Sequence, residues 1–256
     1  MIDAAYHVER VPEMKPPALK PTFSIMDRGS QVMPSEFSVT RDGYHVRLAD
    51  HRMESLKTRI GTLVHRMYSA RGLETHHPVM HAQHPGQTTL VACKGDLLFG
   101  TATVGVDSGH GLLADTLYRP EIDQARRDGA RVCEVTRLAM DPSHSSPEVL
   151  ATVFHLAFII TRLVNDMTDM FLEVHPRHAG FYRRMMGCRI AGPERTCPRV
   201  GAPAVLMRLS LEHAEEQIQR LGGNQPSPER SLYRLFFSPN EQDQLLLKLR
   251  GTQFGV

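Results

Sequence analysis

Apolar residues recur along the chain with two different spacings, and together they predict a succession of strands and helices. Alternating or continuous apolar runs predict strands at residues 44–48, 88–92, 97–106, 131–140, 170–174 and 204–209. Apolar residues three or four positions apart predict a helix capped by Asp50, and Pro147 and Pro176 mark the starts of two more. Further helices are predicted within 112–129, 211–221 and 240–249. This order predicts an α/β fold with a central mixed sheet flanked by helices.

The same pattern divides the chain into three parts. Residues 41–211 carry the predicted strands and are expected to form one α/β domain, and residues 212–256 are expected to form a helical C-terminal extension. Residues 1–40 hold few large apolar residues and five prolines, so they are predicted to be a flexible tail.

Composition excludes several classes of protein. The 30 basic and 28 acidic residues leave a net charge of +2, which gives no reason to expect nucleic-acid binding. The four cysteines form no CxxC pair and the N-terminus lacks an apolar run, so we expect reduced thiols and a cytoplasmic location. The apolar stretch 149–164 contains polar residues and is expected to be too short to span a bilayer, which predicts a buried helix.

Two groups of reactive side chains are not expected to form functional sites. The histidines at 76, 77, 81 and 84 match no zinc-ligand spacing and lie among prolines, so no metal site is predicted. Cys197 has no base beside it in the sequence, and we do not expect it to act as a nucleophile.

A first chemical signal is the segment FYRRMMGC at residues 181–188. It resembles the motif of Gcn5-related N-acetyltransferases, in which an aromatic pair on a short helix precedes a glycine and the next strand. The resemblance implies that Tyr182 protonates the departing thiolate, a task that suits a phenol of pKa about 10. The alternative is that Tyr182 is only a packed core residue.

A second signal is the segment CEVTRLAM at residues 133–140. It resembles the Glu-x-x-Arg strand of acyl-homoserine lactone synthases, which share that fold, and it implies a bulged strand splayed from its neighbour. A pantetheine arm would then pair with the edge formed by Leu138, Ala139 and Met140. Glu134 would act as general base or orient the amine, and Arg137 would hold Glu134 or the substrate carboxylate. The alternative is a buried Glu134–Arg137 pair that only holds the strand.

Four separated stretches together resemble the long-chain N-acyl amino acid synthases, the group of the N-acyltyrosine synthases. The resemblance implies an acyl carrier protein as donor, a free amino acid as acceptor, and a soluble enzyme without a metal. The acyl chain would need an apolar tunnel, which helix 149–164 is expected to line. The matching stretches are GLLADTLY (111–118), CEVTRLAMDP (133–142), EVHPRHAGFYRRMMG (173–187) and ERTCPRVGAPAVLMRL (194–209).

Two features support a carrier-protein donor. The loop 141–147 lacks glycine and contains an aspartate, so it is poorly suited to bind the pyrophosphate of coenzyme A, although coenzyme A is still a possible donor. Residues 177–208 hold seven arginines against one acidic residue, and a carrier protein is acidic. Arg177, Arg183 and Arg184 are the predicted docking residues, the alternative being an ordinary solvated basic surface.

Two kinds of rival function stay open from the sequence. One is a different enzyme of the same fold, either an acyl-homoserine lactone synthase or an N-acetyltransferase that uses coenzyme A. The other is a non-catalytic module that binds acyl carrier protein. The presence of both Glu134 and Tyr182 argues against the second.

Overall fold

The structure, a computed structural model, describes residues 37–50, 52–73, 86–223 and 228–251. These residues form nine strands: β1 Ser38–Arg41, β2 Tyr44–Leu48, β3 Gln87–Lys94, β4 Leu97–Val106, β5 Val132–Met140, β6 Asp169–Val174, β7 Arg189–Ile190, β8 Arg195–Cys197 and β9 Ala202–Ser210. The helices are α1 Glu54–Ser69, α2 Asp115–Arg127, α3 Pro147–Phe158 with a π-helical continuation Ile159–Val164, α4 Pro176–Met186, α5 Leu211–Leu221 and α6 Pro239–Gly251.

The strands form a mixed sheet in the order β1-β2-β3-β4-β5-β6-β9-β7, with β8 also paired to β9. All neighbours are antiparallel except β5 and β6, which run parallel. Helices α1 and α2 pack on one face, against residues such as Ala139 and Phe171. Helix α3 packs on the other face, with Cys133 and Val135. The predicted mixed sheet flanked by helices is therefore confirmed.

Strand β5 contains a bulge that changes its relation to both neighbours. Thr101 of β4 pairs with Ala139, but Thr103 pairs with Thr136, so β5 has one extra residue between these pairs. Arg137 lies in this stretch with a φ of 49°, an uncommon conformation for a residue with a side chain. Pairing with β6 covers only Val132–Glu134, and the two strands diverge beyond that point. The bulge and splay implied by the resemblance are thus present.

Two details near the first strands differ from the sequence predictions. Residues 38–41 form strand β1 and Phe37 is buried in the core, so the predicted tail boundary at residue 40 is wrong. The turn is Asp42-Gly43, with both residues at positive φ, which is a common two-residue hairpin connection. Asp50 does not cap α1; it accepts hydrogen bonds from Arg52 instead.

The helix Pro147–Val164 is long and apolar enough, by length and composition, to cross a membrane, so the expectation that it is too short is wrong. However, 67% of it is buried inside the fold, as is usual for the core helix of a folded domain. The prediction of a buried helix is confirmed.

The C-terminal extension packs against the outer side of this helix. His155 of α3 is fully buried and stacks on Phe236, with 4.7 Å between ring centroids. Its Nδ1 accepts the Phe237 backbone N–H at 3.0 Å, which leaves Nε2–H to donate to Gln242 Oε1 at 2.9 Å. Burial lowers the pKa of His155 to about 4, so the ring is neutral. A buried imidazole therefore joins residues 236–242 to the core.

Candidate active site

The divergence of β5 and β6 opens a cleft on the side of the sheet where the two strands no longer pair. Its volume is about 410 Å³, within the range usual for sites that bind small molecules. Strands β5 and β6, helix α4 and the segment 197–204 supply most of its walls. The cleft is lined by charged side chains and by apolar side chains, most of which pack with the core on the α3 face of the sheet.

Glu134 lies behind the cleft wall rather than in it. The residue is 2% exposed, and its two carboxylate oxygens accept the backbone N–H groups of Leu113 at 2.8 Å and Ala114 at 3.0 Å. Burial raises the pKa of this carboxyl to about 6, against the lowering effect of those two hydrogen bonds. Both carboxylate oxygens of Glu134 are thus bonded to the backbone rather than to the Arg137 guanidinium, which the sequence offered as the alternative partner. The carboxylate fixes the segment 113–114 to the central strand.

The segment that Glu134 holds is also fixed from its other side. Arg126 of α2 forms ion pairs with Asp107 at 2.6 Å and with Asp115 at 2.8 Å, and Asp115 accepts the Leu112 backbone N–H at 2.7 Å. Gly111 has a φ of 77°, and a Cβ there would approach the Asp115 carboxylate to 2.8 Å. The stretch GLLAD is therefore a rigid support whose Leu113 reaches the cleft.

Two residues that sequence reasoning did not single out meet in the cleft wall. Glu173 of β6 pairs with Arg199, which is 5% exposed and which also donates to the carbonyl of Leu113 and the hydroxyl of Thr116. The second oxygen of Glu173, Oε1, is shielded from solvent and accepts no hydrogen bond within the described part of the chain. The sequence feature that could have indicated Glu173 is its position as a glutamate within the otherwise apolar strand MFLEV.

Tyr182 lies on α4 and lines the cleft. It projects from α4 into the cleft wall, packs edge-on against Phe154 with 6.2 Å between centroids, and is 9% exposed. Its hydroxyl forms no hydrogen bond with another described residue, and burial raises its pKa, which keeps it protonated at neutral pH. Tyr68 of α1 lines the same cleft, and burial raises its pKa to about 12. A protonated phenol is thus available on the α4 side.

The edge of β5 past the bulge supplies both polar and apolar surface. Arg137, Leu138 and Met140 line the cleft, while the Ala139 side chain is buried on the α1 side of the sheet. Burial lowers the pKa of the Arg137 guanidinium. The apolar wall includes one residue of α3, so this helix contributes less than predicted; the wall is formed by Leu138, Met140, Leu150, Leu172, Val174 and Phe181.

The predicted docking arginines are all exposed on α4 but occupy two places. Arg177 lies at the cleft itself. Arg183 and Arg184 line a separate depression of about 290 Å³. Arg184 is seven residues from Arg177, so it lies on the same side of the helix roughly 10 Å further along. Arg177 and Arg184 therefore form a basic strip that starts at the cleft, and Arg183 lies next to its far end.

The backbone N–H groups of the loop after β5 form hydrogen bonds within the loop itself. Asp141 Oδ1 accepts the Ser143 backbone N–H at 3.0 Å, and Oδ2 accepts from Arg66 at 2.7 Å. The N–H groups of His144 and Ser145 donate to the Asp141 carbonyl, and Ser146 caps α3. The hydrogen bond from Ser143 holds the pKa of the Asp141 carboxyl below its usual range.

The structure bears differently on the histidine cluster and on Cys197. The histidines at 76, 77, 81 and 84 lie outside the described residues. Within the ranges the structure describes, no group of three or more His, Cys, Asp or Glu residues could hold a metal ion. Cys197 borders the cleft but is 3% exposed, and burial raises the pKa of its thiol, which opposes a nucleophilic role.

A bulged central strand, a cleft where that strand diverges from its neighbour and a protonated tyrosine on α4 are the features of an acyltransferase of the Gcn5-related fold. The chain belongs to the family of the N-acyl amino acid synthase FeeM, whose model matches residues 59–210, and it is an N-acyltransferase. No curated protein sequence matches the chain at a significant level.

Among solved structures, FeeM shares the fold, and two others are similar to a smaller extent. FeeM, an N-acyl amino acid synthase from uncultured soil microbes, is 24% identical with a TM-score of 0.60, covering 66% of this chain and 90% of its own. The acyl-homoserine lactone synthase LasI is 14% identical with a TM-score of 0.47, covering 66% and 90%. An N-acetyltransferase from Lactobacillus plantarum is 13% identical with a TM-score of 0.45, covering 66% and 99%.

Proposed function

We propose that this N-acyltransferase moves a long-chain acyl group from the phosphopantetheine arm of an acyl carrier protein to the amine of an amino acid, in the cytoplasm. The observation that carries the proposal is the cleft between β5 and β6, which combines an apolar wall with a charged one. An acyl chain requires the first, and a zwitterionic acceptor requires the second. No metal takes part in the proposed chemistry.

The donor arm is proposed to lie along the edge of β5. Beyond Glu134 this edge has no strand partner among the described residues, so an extended ligand can pair with it in the place of a strand. The pantetheine amides would pair with the backbone at Leu138, Ala139 and Met140. The side chains of Leu138 and Met140 would then contact the acyl chain next to the thioester.

The loop after β5 supports a carrier protein over coenzyme A as donor. A pyrophosphate binds to free backbone N–H groups at the start of a helix. Here the N–H groups of residues 143–145 are already bound within the loop, to the side chain and the carbonyl of Asp141. A carrier protein presents a single phosphodiester, which makes a smaller demand on this loop.

The basic strip on α4 is the proposed docking surface for the acidic carrier protein. Arg177 lies at the cleft, where a pantetheine arm would enter, and Arg183 and Arg184 extend the positive charge along the helix. Complementary charge of this kind mainly accelerates association and fixes the orientation of the partner.

Within the cleft, Tyr182 is proposed to protonate the leaving thiolate. Its pKa is raised by burial, so it carries the proton at neutral pH. Arg137 is proposed to bind the carboxylate of the acceptor, because a guanidinium matches that group geometrically. Glu134, which the resemblance implies as general base, is proposed to act mainly by fixing Leu113 and, through it, Arg199.

The proposal is tested by incubating the purified enzyme with carrier-protein thioesters of graded chain length and a mixture of the common amino acids. Mass spectrometry of the products identifies both substrates at once. We expect N-acyl amino acids that carry long chains, with acetyl thioesters giving little product. Transfer of acetyl groups only, or formation of acyl-homoserine lactone from S-adenosylmethionine, would contradict the proposal.

A further inference from the structure

The charged side chains that line the cleft are mostly positive. Its arginines are Arg71, Arg137, Arg177 and Arg199, whereas Glu173 is the one carboxylate among the described residues that line it. Glu134 is excluded from this wall by its burial and by its two backbone donors. An amino acid that enters the cleft brings an ammonium group, and Glu173 is the carboxylate available there to receive it.

Glu173 is also incompletely bonded. Oε2 is paired with Arg199, but Oε1 is shielded from solvent and accepts no hydrogen bond within the described ranges. A buried oxygen without a donor is unfavourable, so a group that donates to it gains that interaction on binding. The side chain is 11% exposed and its position is fixed by Arg199, which is itself held by Leu113 and Thr116.

The two faces of the sheet place the reacting groups on opposite sides of the donor. Side chains alternate along β6, so Glu173 lies on the same face as Phe171, which packs with α2. Tyr182 packs with α3 on the other face. A thioester held along the edge of β5 would therefore meet the amine from the Glu173 side and release its thiolate toward Tyr182.

We propose that Glu173, fixed by Arg199, binds the ammonium of the acceptor amino acid and takes its proton; this inference rests on the proposed function. Proton transfer to Glu173 frees the nitrogen lone pair, which attacks the thioester carbon. A C–N bond forms, the C–S bond breaks, and the thiolate takes a proton from Tyr182. The ammonium loses two protons in all: one passes through Glu173 to solvent, and the other restores Tyr182.

Glu173→Gln is the first test variant, measured in the full-length enzyme with a long-chain acyl carrier protein and a saturating amino acid. We expect kcat to fall about 100-fold or more and the KM for the amino acid to rise, with the KM for the acyl carrier protein unchanged. Raising the pH from about 7 to about 9 should recover part of the activity, because more of the amine is then unprotonated.

Two further variants separate this role from folding. Glu173→Gln leaves Arg199 buried without its carboxylate, which can destabilise the fold, so Glu173→Gln with Arg199→Gln removes both charges together. Glu173→Asp keeps the charge and should retain more activity than Glu173→Gln. The matched control is Glu121→Gln, which breaks an ion pair with Arg195 outside the cleft and should leave both KM values and kcat unchanged.

The outcomes distinguish this inference from the function on which it rests. A wild-type enzyme that acylates amino acids, together with a folded double variant of unchanged kcat and unchanged amino-acid KM, overturns the role of Glu173 alone. A wild-type enzyme that acylates no amino acid with any donor overturns both. A selective loss at the acceptor with recovery at high pH supports the role.

Discussion

Oε1 of Glu134 accepts the backbone N–H of Leu113 at 2.8 Å, and this bond joins the central strand to the segment that positions Arg199. The Leu113 carbonyl receives a hydrogen bond from Arg199, which in turn pairs with Glu173. A residue that the family resemblance presents as a catalytic base therefore also supports the charged wall of the cleft. Its substitution should affect the acceptor site even though the side chain does not line it.

We expect Glu134→Gln to lower both stability and kcat. The amide has one acceptor oxygen in place of two, so either Leu113 or Ala114 loses the acceptor of its N–H, at a cost of about 1–3 kcal/mol. Thermal melts followed by circular dichroism report the first effect, and steady-state kinetics report the second. A variant with the wild-type melting temperature whose activity recovers at high pH would instead identify Glu134 as the base.

Tyr182→Phe should lower kcat about tenfold while stability stays near that of the wild type, because a thiolate can leave without full protonation. Its hydroxyl has no hydrogen-bond partner to lose among the described residues. The matched control is Tyr233→Phe, whose hydroxyl donates to the Met186 carbonyl at 2.9 Å in a buried position. That variant should lose stability and keep kcat. If Tyr182→Phe lost stability and kept kcat, while Tyr233→Phe lost kcat, Tyr182 would have no part in the chemistry.

Arg177→Glu should raise the KM for the acyl carrier protein several-fold at low ionic strength, and the effect should shrink as salt is added. Arg183→Glu with Arg184→Glu should act in the same direction but less strongly, since these residues lie further from the cleft. Arg127→Glu, an exposed residue of α2 that bonds only Gln124 among the described residues, is the control. Equal KM values for all these variants at low salt would place the docking surface elsewhere.

His155 should make the free energy of unfolding depend on pH in acid. Its pKa falls from 6.5 in the unfolded chain to about 4 in the folded protein. Below about pH 6.5 the unfolded chain binds a proton that the folded protein does not, so stability is lost as the pH falls toward about 4, by about 3 kcal/mol in total. Urea denaturation across this range should show the slope in the wild type.

The comparison with His155→Gln isolates that contribution. The variant loses the hydrogen bonds of His155, which lowers its free energy of unfolding by the same amount at every pH. The slope of that free energy against pH should be smaller than in the wild type, because His155 no longer contributes to it. Glu134 titrates in the same range in both proteins, and its effect cancels in the difference. Parallel curves for wild type and variant would show that His155 does not titrate in this way.

The sequence predicted the sheet well because its central strands are continuous apolar runs bounded by clear turn residues. Strand β1 was missed because it is short and follows a proline-rich segment, although Asp42-Gly43 is a typical hairpin turn. The motif around Glu134 was recognised, but its hydrogen bonds join residues about twenty positions apart and cannot be read from spacing. The Glu173–Arg199 pair depends in the same way on the packing of β6 beside the turn after β8.

The most direct test of the account is a competition between two donors in one reaction. Isotopically heavy long-chain acyl groups are supplied on acyl carrier protein and light ones on coenzyme A, at equal concentration, with an amino acid acceptor. The isotope ratio of the N-acyl amino acid gives the ratio of the two kcat/KM values. We predict that heavy product exceeds light product by at least about tenfold. This ratio corresponds to a difference of about 1.4 kcal/mol in transition-state stabilisation. Product that is mainly light, or no N-acyl amino acid at all, would contradict the account.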